Sequence, residues 1–202
     1  GFTHKLQASR GWKDKKGKMH WTPFKFPIDA LGRFVYATQD HSIFLSSEVG
    51  NNYGLVAYSN RTGLFSHVVL AAKDKIAAQA QKIGDALVVQ YFDNRYINTI
   101  EIYDLNGNHV DTISMEALGL AGRGALPQVF TTRSDSYRFE FNYNGIEQPN
   151  VTISYDIKSK KVEIKKSALA EKFDSKIISS EVAFITSEDG AEVPALLYSK
   201  KG

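Results

Sequence analysis

The chain has 202 residues, 43% hydrophobic and 23% charged, with a formal charge of +3 and no cysteine. This composition allows a sizeable core and excludes disulfides, thiolate chemistry and any zinc site built on sulfur. The modest basic excess gathers at Lys13, Lys15, Lys16 and Lys18, less than the clustered basic face that a nucleic acid or anionic membrane requires. No apolar run approaches the roughly 18 residues of a membrane span, so neither nucleic acid nor membrane is expected as a partner. The first residues show no signal-peptide pattern, which says little of a chain that starts abruptly, and a chain without cysteine leaves the redox compartment open.

In chain order, Trp12 and Trp21 bracket the lysine-rich stretch, which reads as a hairpin with a solvated tip. Strands are predicted at Arg33–Thr38 and Ser42–Ser46, followed by a strand–turn–strand unit over Leu55–Leu70. Asp74–Ile83 carries helix formers, yet it reads equally as an inner strand with Ile76, Ala78 and Ala80 on one face. The strand is preferred because the repeat described below requires one there. Leu87–Phe92, Thr99–Leu105, Tyr137–Tyr143 and Val151–Ile157 are rich in β-branched and aromatic residues and read as strands. Met115–Gly119 is a candidate helical turn. Asn106-Gly107, Asn144-Gly145 and Asp189-Gly190 predict two-residue hairpins with positive φ at both turn positions. Lys158–Lys161 predicts a further turn.

The repeat sets the architecture. Leu55–Leu70, Thr99–Ser114 and Val151–Lys166 share an apolar strand ending near a tyrosine, a polar turn and a strand containing valine. The tyrosines are Tyr58, Tyr103 and Tyr155, about 45 and about 52 residues apart. With two strands before each unit, this is the periodicity of four-stranded propeller blades. A blade is too thin to bury both faces alone, which accounts for the continuous apolar runs Val68–Leu70 and Leu87–Val89. The expected fold is all-β, a partial β-propeller of three to four four-stranded blades in an open ring. Residues 1–32 are assigned to strands of an incomplete blade, 33–176 to consecutive blades and 177–202 to a crossover hairpin. An immunoglobulin-like sandwich is the alternative.

The nucleophile elbow G-x-S-x-G does not occur in the sequence. The five histidines, His4, His20, His41, His67 and His109, include no H-x-x-x-H pair. Asp40-His41 fits turn capping better than a catalytic dyad. Asp93, Asp104 and Asp156 follow aromatic-rich strands, and two of them recur at one repeat position, which favours carboxylates that accept turn amides. Gly119–Gly124 lacks the strand–turn–helix setting of a phosphate cradle. Asn60-Arg61-Thr62 and Asn150-Val151-Thr152 match the glycosylation acceptor pattern. No residue is assigned a catalytic, cofactor-binding or metal-ligating role.

Ala86–Gly107 (ALVVQYFDNRYINTIEIYDLNG) resembles the propeller of the prolyl oligopeptidase family of serine peptidases, with a strand of LVxxYxxD type and a later strand ending YDLxG. Phe139, Phe141, Pro149, Ile153, Tyr155 and Asp156 continue the resemblance. Asn142 departs from it, standing where the family usually has Ser or Thr. Glu181–Gly202 is similar to the family's crossover from propeller to peptidase, through Ser187, Asp189, Gly190, Val193, Pro194, Lys200, Lys201 and Gly202. The resemblance spans residues 33–202 and weakens toward the N-terminus.

It implies a non-catalytic propeller segment that gates and size-selects peptide substrates for a hydrolase domain. The nucleophile, acid and histidine of that domain would lie beyond residue 202. Implied partners are peptide substrates, the hydrolase domain and another copy of the chain through exposed blade faces. Localisation stays open between cytoplasm and periplasm. The competing reading is a stand-alone β-propeller-like or sandwich module that binds a protein or glycan.

Overall fold

The computed structural model describes residues 5–72, 74–120, 128–131, 136–145, 148–172, 174 and 177–201. In chain order the strands are β1 (Ser9–Lys13), β2 (Met19–Pro23), β3 (Gly32–Ala37), β4 (His41–Ser46), β5 (Gly54–Ser59), β6 (Phe65–Ala71), β7 (Ile76–Ile83) and β8 (Ala86–Phe92). They continue with β9 (Asn98–Asp104), β10 (His109–Ser114), β11 (Gln128–Thr131), β12 (Arg138–Gly145), β13 (Gln148–Asp156), β14 (Lys161–Lys166), β15 (Ile178–Thr186) and β16 (Glu192–Lys200). Helix α1 (Ala168–Lys172) separates β14 from β15. Among the described residues the four-stranded sheets have orders β3-β4-β5-β6, β10-β9-β8-β7 and β11-β12-β13-β14, and β1-β2 and β15-β16 are two-stranded. The predicted all-β, blade-forming character is therefore observed, and Asp74–Ile83 contributes a strand rather than a helix. By compactness the chain divides into Gly1–Lys82 and Ile83–Gly202.

In the first unit, β4 and β5 are inner strands buried on both faces. Ile43, Phe44 and Leu45 are 3%, 1% and 0% exposed, and Leu55, Val56, Ala57 and Tyr58 are fully buried. One face carries a cluster of Phe24, Phe44, Val56 and Tyr58, against which Leu6, Ala8, Phe26 and Val49 pack. Phe26 reaches Phe44 edge-on at 4.9 Å and Tyr58 at 4.7 Å, contacts worth about 0.5–1.5 kcal/mol each beyond area burial. The segments on either side of the β1–β2 hairpin are themselves tied together, Phe24 N–H to Ala8 O at 3.0 Å and Leu6 N–H to Ala30 O at 2.9 Å. Gly63 is needed at the turn beneath them. Its φ is +69°, and a Cβ there would come within 2.1 Å of Pro23 O.

In the second unit, period-two alternation builds one shared core. Ile100 and Ile102 of β9 cluster with Phe139 and Phe141 of β12 and with Val151, Ile153 and Tyr155 of β13. Each is at most 2% exposed. Ala170 of α1 closes the same cluster. Ser167 starts that helix by accepting the Ala170 amide on its side chain at 3.1 Å. Met115–Gly119 forms the expected single turn, with Leu118 N–H reaching Ser114 O at 3.2 Å and Gly119 N–H bonded to Glu116 O at 2.9 Å.

The turn chemistry differs from expectation. Around Asn106-Gly107 and Asp189-Gly190 only the glycines take positive φ, 85° and 82°. Asp104 N–H donates to Asn108 O at 2.9 Å, and Gly107 N–H to Asp104 O at 3.1 Å. These are three-residue loops in which a left-handed residue follows the turn, not two-residue primed turns. Asn144-Gly145 is no turn, because β12 runs through both and Gly145 pairs with Gln148. The reversal there lies outside the described residues, as do residues 121–124 of the glycine-rich loop.

Candidate functional site

Among the described residues, a serine–histidine contact lies at the edge of the β3-β4-β5-β6 sheet. Ser66 Oγ is 3.2 Å from His41 Nε2 and 3.1 Å from His67 Nδ1, and the two imidazoles meet edge-on at 5.4 Å. Ser66 sits on the exposed strand β6, at a bulge where the pairing with β5 skips it, whereas a hydrolase serine occupies a strand–helix elbow beside oxyanion donors. His20 pairs with Asp14 at 2.9 Å and stacks on Trp12. His109 bonds Thr112 Oγ1 at 2.8 Å. His4 lies outside the described residues. Among the described residues, no group of three or more His, Asp or Glu is placed to hold a metal ion.

The candidate acids serve turns. Asp93 Oδ1 accepts the amides of Arg95 and Ile97 at 2.8 and 3.0 Å. Asp104 Oδ1 accepts those of Asn106 and Asn108 at 2.8 and 2.9 Å. The Asn108 side chain and amide hold the Asp104 carboxyl below its ordinary range. Asp14 repeats the arrangement with Lys16 and Lys18, which the sequence reading did not single out. Asp156 accepts from Ser159 through both N–H and Oγ. Asn60 is 5% exposed and fully engaged in hydrogen bonds, so its side chain is closed to a glycan.

The repeated tyrosines share a chemistry that the sequence did not reveal. Tyr58 donates its hydroxyl to Glu48 at 2.7 Å, Tyr103 to Glu101, and Tyr155 to Asp111. Burial, reinforced by these carboxylates, raises all three phenols above their ordinary value. Tyr91, buried beside Tyr103, is pushed up to about 12. Each blade thus buries a neutral tyrosine whose polar end has an anionic acceptor.

The last hairpin presents a different surface. β15 and β16 pair in unbroken register from Ile178↔Lys200 to Thr186↔Glu192. Phe184, Ile185, Val193 and Leu197 are 49%, 57%, 49% and 45% exposed. Tyr96 touches this hairpin, donating its hydroxyl to Pro194 O at 3.0 Å. It does so from a left-handed backbone, φ 58°, at the loop position that Gly107 fills in the next turn.

Superposition on solved structures decides the fold. The chain matches, over 96% of its length, a prolyl oligopeptidase B from Galerina marginata bound to a 35-residue hydrolysis and macrocyclization substrate, with TM-score 0.80 and 15% identity. The fold is that of the prolyl oligopeptidase β-propeller. The same enzyme bound to a 25-residue macrocyclization substrate gives TM-score 0.79 and 16% identity. A structure from a study of two prolyl endopeptidases, and of inter-domain dynamics in their catalysis and specificity, gives 0.76 and 15% over 96% of the chain. The chain spans 27–28% of the length of these proteins, matching part of their N-terminal propeller. No protein-family profile and no curated protein matches the chain in sequence.

Proposed function

We propose that this chain is a non-catalytic propeller segment of a prolyl oligopeptidase-like serine peptidase, whose blades gate and size-select peptides for a hydrolase domain. The observation that carries the reading is the match over 96% of the chain to prolyl oligopeptidases of more than three times its length. In this reading β15–β16 opens the hydrolase sheet, and the exposed Phe184, Ile185, Val193 and Leu197 pack against that domain. In its absence Ile185, Val193 and Leu197, which share one face of the hairpin, pair with a second copy, because apolar strand surface associates.

The test uses the parent reading frame. It encodes a G-x-S-x-G elbow beyond residue 202, and the full-length protein cleaves short proline-containing peptides but not folded proteins. The 202-residue chain alone leaves a proline-containing chromogenic peptide intact. Turnover by the pure chain, or a parent frame with no nucleophile elbow, overturns the reading.

A further inference from the structure

The β1–β2 hairpin and the turns at Gln39–His41 and Ser59–Arg61 enclose a pocket of about 490 Å³. The gating role makes no use of it. Arg10 and Trp12 of β1 line one wall. The Trp12 indole is held in place, stacked on His20 at 4.5 Å with 17° between planes, and His20 is anchored on Asp14 at 2.9 Å. The floor is Asn60, 5% exposed. Its amide nitrogen donates to Thr38 O and Gln39 O at 3.0 and 3.1 Å, and its Oδ1 accepts from Ser42 Oγ at 2.7 Å. With its amide so engaged the floor is rigid, and recognition falls to the walls.

Two guanidiniums line those walls. Arg10 commits Nη1 to Gln39 O at 3.0 Å, which leaves the rest of its fork for a ligand. Arg61 has no side-chain partner among the described residues, and neither has the carboxylate of Asp40. Two cations against one anion leave a single net positive charge, suited to a monoanion. A guanidinium fork matches a carboxylate in shape and charge, while the indole offers a flat apolar face.

We infer that this pocket binds a carboxylate flanked by an aromatic or apolar group, the carboxylate on Arg61 and Arg10 and the flanking group on Trp12. A free aryl carboxylate and a peptide C-terminus both carry that chemistry.

The chain has two tryptophans, so Trp21→Phe leaves Trp12 as the only indole reporter. This variant is titrated with hippurate, with hippuramide, and with a phenylalanine-terminated tetrapeptide as free acid and as amide. Hippurate changes Trp12 emission saturably and hippuramide does not. Arg61→Ala weakens hippurate binding about tenfold, the loss of one charge-assisted contact, and Asp40→Asn tightens it. Both substituted side chains are exposed, and circular dichroism checks that the fold persists. A peptide acid that binds more tightly than hippurate assigns the site to peptide C-termini, and one that binds less tightly assigns it to free carboxylates; either supports the site. No saturable response, equal responses to acid and amide, or unchanged affinity in Arg61→Ala overturns it.

Discussion

Tyr155→Phe removes one hydroxyl and keeps the ring, so it isolates the polar contact from the packing around it. Asp111 retains the Thr112 amide at 2.9 Å and Lys160 at 3.5 Å. The expected loss is about 1–2 kcal/mol, read as a lower urea midpoint at unchanged slope. Burial acts to raise the Asp111 carboxyl, but Tyr155, the Thr112 amide and Lys160 outweigh it and hold it below 3.8. A depressed carboxyl contributes stability above its unfolded value, and that contribution is lost as pH falls through the lower folded value. Tyr155→Phe should therefore flatten the acid limb of stability against pH, as well as lowering the plateau. Tyr96 gives a second contrast. Tyr96→Gly relieves a left-handed backbone that costs an L-residue about 1–2 kcal/mol while cutting the bond to Pro194. Tyr96→Phe cuts the bond and keeps the strain. Both should speed amide exchange in Glu192–Lys200, but only Tyr96→Phe should lower global stability, by about 1 kcal/mol.

For the elements, the decisive positions are those where a loop or strand meets a neighbour. Gly63→Ala would press a methyl group onto Pro23 O from a disfavoured φ. It should destabilise the chain by more than about 1 kcal/mol and loosen the Lys25 N–H bond to Gly63 O, now 2.7 Å, as amide exchange would report. Phe141→Ala empties a fully buried site between β9 and β13 and should cost about 3–5 kcal/mol by chemical denaturation. The strands were legible because alternation and turn residues bound them locally, and the tyrosine spacing marked the blades. The loop type was not legible at Asn106-Gly107, where Asp104 captures two amides and selects a longer loop. The packing of Phe24 and Phe26 was hidden because their partners, Phe44 and Tyr58, lie far along the chain. Helix α1 spans five residues, too few to show a helical period. The pocket was equally hidden, since Arg10, Asp40 and Arg61 converge only after three separate turns have formed.

For the whole molecule, the fold was readable from ordered motifs although identity to its structural neighbours is 15–16%. Propeller identity rests on period and strand pattern, which survive divergence, whereas surface residues do not. The association proposed above has a direct check. Ile185 and Val193 face each other across the hairpin, and replacing both with Thr should reduce self-association several-fold in light scattering.

Among the described residues every sheet is a meander, so hydrogen-bonded neighbours are always consecutive strands. Each pairing then closes a short segment, and the entropy of bringing its ends together is small. Long-range closure, which slows most all-β chains, is confined to the packing of finished sheets on one another. A nascent chain can therefore complete a blade as soon as its fourth strand has left the ribosome, without waiting for later sequence. Refolding should show a fast phase for β-structure and a slower one for burial of Phe139 and Phe141.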